Sequence, residues 1–88
     1  MFCTYILYSV SYDRYYIGHC ENVTARLLRH NSKMVPSTKP YVPWNLMYYE
    51  EYHTRPKASN RELEIKKKKS RKYVEWLIAN GTGRHVQI

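Results

Sequence analysis

Two groups of side chains in this 88-residue chain resist an explanation by packing alone. Arg26 and His30 stand four residues apart in a segment of helical period, beside the apolar stripe of Val23, Leu27 and Leu28 rather than opposite it. Glu62 lies between Ala58 and Ile65, four residues before it and three after, the two residues expected to face a sheet. A carboxylate aimed at a sheet must be paired, hydrogen-bonded or bound to a cation, because an unpaired buried charge is costly. In a basic, phenol-rich chain such a glutamate is a candidate one-carboxylate Mg²⁺ site. Mg²⁺ keeps most of its waters and takes one or two carboxylates together with phosphate oxygens. Taken singly, each residue has a plainer reading: Arg26 a solvated helix residue, His30 a satisfied surface histidine, Glu62 a helix salt bridge with Lys66 at i+4.

The elements that must position these groups follow from period and punctuation. Cys3–Val10 is apolar, rich in β-branched and aromatic residues and too short for a helix, which predicts a strand buried on both faces. Tyr12-Asp13-Arg14 supplies a turn and Tyr15–Cys20 the second strand of a hairpin. The period then changes to helical over Asn22–Asn31, with Asn22 or Thr24 as cap. Ser32–Pro43 holds three prolines and reads as a loop long enough to suspect function. Asn45–His53 is a third strand. A second helix starts at Thr54 or Ser59 and runs to about Lys67, with Pro56 where a first turn tolerates it. Ser70 caps a third helix whose Val74, Leu77 and Ile78 point inward and which Gly81 ends. The order strand, strand, helix, strand, helix, helix gives an α+β fold, a small three-stranded antiparallel sheet flanked by helices. One domain spans 1–88, with a core over about 3–80 and a C-terminal tail at 81–88.

Length and charge narrow the partners. A chain this short buries only about 60–65% of its unfolded surface, enough for one core and one site. Lys and Arg number 15 against 7 Asp and Glu, a formal +8, and ten of the 13 aromatics are tyrosine. Cations release counterions from phosphate and aromatic faces stack on bases, so the expected partner is a polyanion. Residues 54–88 hold 10 basic and 3 acidic side chains, a net +7, which places the polyanion-facing part in the C-terminal half. His19, Arg29, Lys39, Arg61, Lys66, Lys67, Lys69 and Arg71 are the expected nucleic-acid contacts. Cys3 and Cys20 read as reduced thiols, and a zinc site from them with His19 and His53 fits no ligand spacing. No apolar run approaches the roughly 18–20 residues of a membrane span and no secretory signal is visible, so the expected compartment is the cytoplasm.

In order and spacing the chain resembles the GIY-YIG nuclease superfamily, in particular its short stand-alone bacterial members. The anchors are Tyr5-Ile6-Leu7-Tyr8, then Tyr16-Ile17-Gly18, Asn22-Val23, Arg26-Leu27, His30-Asn31, Pro43-Trp44, Ala58 and Arg61-Glu62 leading to Ile65-Lys66. Tyr5 to Tyr16 is 11 residues and Arg26 lies 10 further on. The resemblance implies that Glu62 binds one divalent ion, Mg²⁺ or Mn²⁺, and that Arg26 neutralises the scissile phosphate. It makes Tyr16, and with it Tyr5, the residues that orient or activate water, and His30 the histidine one turn after the arginine. It implies cutting of DNA to a 3′ hydroxyl and a 5′ phosphate. The chemistry is coherent: an ion polarises oxygens of the phosphate, and arginine gives another oxygen an always-charged fork. Tyrosine, with an ordinary pKa of ~10, would need nearby cations to act as phenolate; failing that, His30 is the better proton carrier. The chain departs from the family pattern where Cys3-Thr4-Tyr5 lacks the first motif's glycine. His19 also stands where the family often has lysine or a small hydroxyl residue. No separate targeting domain is expected, so a targeting partner is expected to supply specificity, with structure-directed or low-specificity cutting in repair or recombination. RNA as substrate stays open. The rival expectation is a catalytically silent nucleic-acid-binding adaptor of the same fold.

Overall fold

A computed structural model describes residues 1–85. Strands β1 (Phe2–Ser9) and β2 (Arg14–Cys20) form an antiparallel hairpin, and β3 (Asn45–Tyr52) pairs antiparallel with the other side of β1. The sheet order is β2-β1-β3-β4, so β1 is an interior strand and β2 an edge. That position explains the continuous apolar run of β1, where residues 3–7 are all buried. The hairpin turn places Asp13 at φ 52°, a left-handed conformation that a short polar side chain tolerates. Asp13 there accepts a 2.6 Å hydrogen bond from Tyr8 Oη and an ion pair from Arg71.

The register fixes what each face sees. Cys3, Tyr5 and Leu7 stand opposite Cys20, Gly18 and Tyr16, and this set packs under helix α1 (Val23–Asn31) through Val23 and Leu27. Ile6 and Ile17 alternate to the other face and pack with Ile65, Val74 and Leu77 of helices α2 (Arg55–Lys67) and α3 (Arg71–Asn80). The helix starts follow the expected caps: Asn22, Thr54 and Ser70 accept from the backbone N–H of Ala25, Lys57 and Tyr73. Each such cap is worth about 1 kcal/mol. Gly81 closes α3.

The three expected strands and three helices are present, and two features are added. A single 3-10 turn, Lys39–Tyr41, interrupts the proline-rich loop. A two-residue strand β4 (Arg84–His85) pairs with β3 at Tyr48 and Tyr49, so the start of the expected tail belongs to the sheet. Two residues carry no readable period, and their pairing is set from afar: Gly83 N donates to Tyr48 Oη at 3.0 Å. Residues 86–88 of that tail lie outside the described residues.

Candidate active site

On the α1 face a chain of polar groups runs through the core. Tyr5 Oη is 2.9 Å from His30 Nε2, and His30 Nδ1 is 2.8 Å from Thr38 Oγ1. Tyr5 is 1% exposed, and His30 and Thr38 are 0% exposed. Thr38 Oγ1 has one proton and gives it to Val35 O at 3.3 Å, so it accepts from His30 Nδ1. His30 Nε2 then carries no proton and accepts from the Tyr5 hydroxyl, whose oxygen accepts from Arg26 Nε at 3.4 Å. This direction, assigned from the network, satisfies every member. Burial, reinforced by the charges of Arg26 and Arg29, lowers the His30 pKa to about 4, and burial pushes the Tyr5 phenol well above its usual range. Both are therefore neutral near pH 7.

Thr38 escaped the sequence reading because it sits in an aperiodic loop, whose length alone was a signal. The loop is pinned where it matters: Trp44 Nε1 donates to Thr38 O at 3.0 Å, and Asn31 exchanges two hydrogen bonds with the Trp44 backbone. The network also corrects an expectation. Both nitrogens of His30 are committed inside the core, so His30 does not offer a site for taking a proton from water. Tyr5, its proton given to His30, supports Arg26 rather than facing solvent.

On the α2 face Glu62 is held by two hydrogen-bond donors. His19 Nδ1 donates to its Oε1 at 2.7 Å and Lys66 Nζ to its Oε2 at 2.6 Å. The Glu62 side chain is 16% exposed, with Ala58 and Ile65 buried on either side as the helical spacing requires. Burial pushes its pKa up, but the hydrogen bonds from Lys66 and His19 outweigh that, and the carboxyl sits below the usual glutamate value. His19, expected on a phosphate, is thus placed on the carboxylate.

The two halves meet at the edge strand. Tyr16 points to the α1 face, its ring centroid 5.0 Å from that of His30 and 6.3 Å from that of Tyr5. Lys66 belongs to the other face, yet its ammonium lies 5.9 Å from the Tyr16 ring centroid. One lysine therefore touches the carboxylate and the motif tyrosine at once. Between the tyrosines, Gly18 is required by space: a Cβ there would sit 2.6 Å from Tyr5 Oη and 3.1 Å from Tyr16 Cε2.

These two tyrosines, the arginine and the glutamate all lie within a span that a family model matches. The family model of the GIY-YIG catalytic domain matches residues 1–74. The chain belongs to the GIY-YIG family. That is a family of nucleases that act on DNA and generally use divalent metal ions. Two relatives from strains of Staphylococcus epidermidis, "UPF0213 protein SERP0126" and a second "UPF0213 protein", are each 42% identical over 52 residues. The match covers 58% of this chain and 63% of each relative, so the chain spans less than two thirds of their length. No solved structure matches.

Within the GIY-YIG domain, Glu62 is the residue suited to a metal ion. Among the described residues no three His, Cys, Asp or Glu side chains gather closely enough to form a cage. An ionised, partly exposed carboxylate suits an ion that keeps most of its waters and takes its other ligands from phosphate. The two donors on Glu62, His19 and Lys66, are themselves part-exposed side chains.

The expected nucleic-acid contacts divide. Arg29, Lys39, Lys66, Lys67 and Lys69 are on the surface. Arg71 is exposed but engaged, paired with Asp13 and Glu75 and lying 5.0 Å over the Tyr15 ring. Arg61 is a correction. Its guanidinium binds both oxygens of Glu50 at 2.8 and 3.2 Å, Glu64 at 2.8 Å and Tyr73 Oη at 3.5 Å. Glu50 is 9% exposed and also accepts from Tyr48 and Tyr52, so Arg61 neutralises a buried carboxylate instead of reaching a phosphate.

Proposed function

We propose that this chain is a divalent-metal-dependent DNA endonuclease of the cytoplasm, acting on repair or recombination intermediates with little sequence preference of its own. The reading rests on one observation: Lys66 joins Glu62 to Tyr16 across the β2 edge, and Tyr16 abuts the Tyr5–His30 network that holds Arg26. Glu62 would hold the ion, Mg²⁺ or Mn²⁺, in place of its hydrogen bonds with His19 and Lys66. Bound there, a divalent ion supplies Lewis-acid stabilisation of charge on the phosphate and leaving oxygen.

The protein's own residues do the rest. Arg26 is part-buried and anchored at Nε by Tyr5, leaving its terminal nitrogens to bind a non-bridging phosphate oxygen as a preorganised fork. Lys66 lies beside Tyr16, its ammonium 5.9 Å from the ring centroid. Its place between that lysine and the Tyr5–His30 network assigns to Tyr16 the orienting or activation of the attacking water. Tyr5, His30 and Thr38 fix the positions of Arg26 and Tyr16 without exchanging protons with solvent. Sequence or structure preference comes from a targeting partner.

A cleavage series over linear, nicked, flap and four-way DNA, with Mg²⁺ and with chelator, tests the reading. Glu62→Gln and Arg26→Ala should abolish cutting while circular dichroism and most DNA affinity are retained. Cutting by Glu62→Gln at the wild-type rate would sink the assignment. The doubly paired Glu62 carboxylate favours a second reading, a silent DNA-binding adaptor, and that reading requires salt-dependent binding with no metal-stimulated cleavage on any substrate.

A further inference from the structure

Cys3 and Cys20, the chain's two cysteines, are direct partners across the hairpin, set opposite each other by the β1–β2 register. Both are unbonded thiols, 5% and 7% exposed, and both pack on the α1 face with Tyr5, Leu7, Val23 and Leu27. A single buried cysteine is ordinarily a small apolar filler, and either of these alone would be no more than that. Two in register are a different matter, because the ladder fixes their separation.

Opposed residues of an antiparallel pair have Cα atoms about 4.5 or 5.5 Å apart, and both values fall within the ~4.4–6.8 Å that a disulfide spans. Their side chains leave the same face with Cβ atoms about 4.5–5.5 Å apart, against the ~3.5–4.5 Å of a disulfide. Closing the bond therefore needs an approach of about 1 Å. The place in the fold permits it. Cys20 is the last residue of β2, an edge strand with no neighbour on its outer side among the described residues, and Cys3 is the second residue of β1. The pair stands at the open end of the hairpin, away from the turn at Asp13. Burial pushes the Cys20 thiol up to about 11 and raises the Cys3 thiol as well, so both sulfurs stay protonated while this end is closed. Reaction waits for the end to open.

We propose that Cys3 and Cys20 are a reversible thiol pair that a peroxide closes into a cross-strand disulfide and a dithiol reopens. One sulfur attacks an oxygen of the peroxide, whose O–O bond breaks to release water and leave a sulfenic acid. The second sulfur displaces the hydroxyl, which leaves as water with the remaining thiol proton. Two thiols and one peroxide thus give one disulfide and two waters, the sulfurs losing the two electrons that the peroxide gains. The bond ties the end of β2 to β1 just before Asn22 caps α1, and so braces the strand that carries Tyr16 and His19. This holds whether or not the chain cuts DNA.

The test exposes the full chain, reduced and desalted, to hydrogen peroxide without denaturant, blocks free thiols by alkylation and maps tryptic peptides without reductant. Trypsin cuts after Arg14 and Arg26, so peptides 1–14 and 15–26 should run as one linked species that dithiothreitol splits. The oxidised chain should stay monomeric and melt about 10–20 °C higher, since a cross-link closing a loop of this length restricts the unfolded chain. Cys3→Ser and Cys20→Ser should each lose both the linked species and the rise in Tm. Sulfinic or sulfonic acid on either cysteine in place of the link overturns the proposal, and so do disulfide-linked dimers as the main product. A link that forms only in denaturant, or one that does not raise the Tm, also overturns it, because the folded register then does not admit the bond.

Discussion

Replacing Thr38 by valine removes one hydroxyl and almost no volume, and it tests the direction of the buried network. In the wild type His30 Nδ1–H points at Thr38 Oγ1, 2.8 Å away, in a place with no access to water. Valine leaves that N–H without an acceptor, a loss of about 1–3 kcal/mol. The carbonyl of Val35 loses little, because it still accepts from the backbone N–H groups of Thr38 and Lys39 at 3.1 and 2.9 Å. His30 has one escape, to move its proton to Nε2 and donate to Tyr5. The Tyr5 hydroxyl proton then has no acceptor, since the other neighbour of that oxygen, Arg26 Nε, is a donor. The penalty moves along the chain without vanishing.

Thr38→Val should therefore lose about 2 kcal/mol, seen as a fall in Tm of about 8–16 °C at the 4–8 °C per kcal/mol expected for a domain of this size. Thr38→Ser, which keeps the hydroxyl, should recover most of it. Imidazole ¹⁵N shifts give an independent reading: the wild type should show a protonated Nδ1 and a bare Nε2 at neutral pH. If Thr38→Val is as stable as wild type, or if the wild-type imidazole carries its proton on Nε2, the assigned direction is wrong. The support it gives Tyr5 and Arg26 then falls with it.

Other perturbations probe the same frame. His30, held neutral with a pKa of about 4 against an ordinary 6.5, binds a proton in the unfolded chain before it does in the folded one. Stability should be complete above pH 6.5 and fall as pH is lowered towards 4, by up to about 3 kcal/mol from this group, and denaturant titrations of His30→Gln should show a flatter slope there. Gly18→Ala pushes a methyl into Tyr5, which Arg26 and His30 hold in place, so it should cost about 1–3 kcal/mol and reduce cutting; a variant as stable and active as wild type would show that the tyrosines yield freely. Arg61→Met strands the Glu50 carboxylate and should destabilise by about 3 kcal/mol in thermal melts, yet change DNA affinity less than Lys69→Gln.

What could be read from the sequence was local. Asn22, Thr54 and Ser70 cap the three helices because a cap is a relation between a side chain and an N–H three residues on. The inward spacing of Ala58, Glu62 and Ile65, and the salt bridge of Glu62 with Lys66, follow from helical geometry alone. What was hidden depends on partners distant in the chain. Arg61 looks like any basic helix residue until Glu50, 11 residues earlier and on another element, takes its fork. Thr38 has no period to mark it and acquires its role only when the loop is pinned by Asn31 and Trp44.

The placement of these groups on an edge strand has a reason that goes beyond convenience. In the interior of a sheet, side chains of successive residues are separated by the sheet itself, so Gly18 and His19 would serve two unrelated surfaces. At β2 the outer side is open, and a long side chain from α2 can round it, as Lys66 does in touching Glu62 and Tyr16 together. A single sheet thereby draws candidate site residues from both of its faces. The open edge would otherwise be a liability, because its unpaired backbone groups invite another strand. Arg14 on β2 and Lys66 beside it put charge along that edge. The same side chains that make the edge hospitable to a phosphate backbone therefore make it inhospitable to a second copy of the sheet, and replacing them with apolar residues would remove both properties at once.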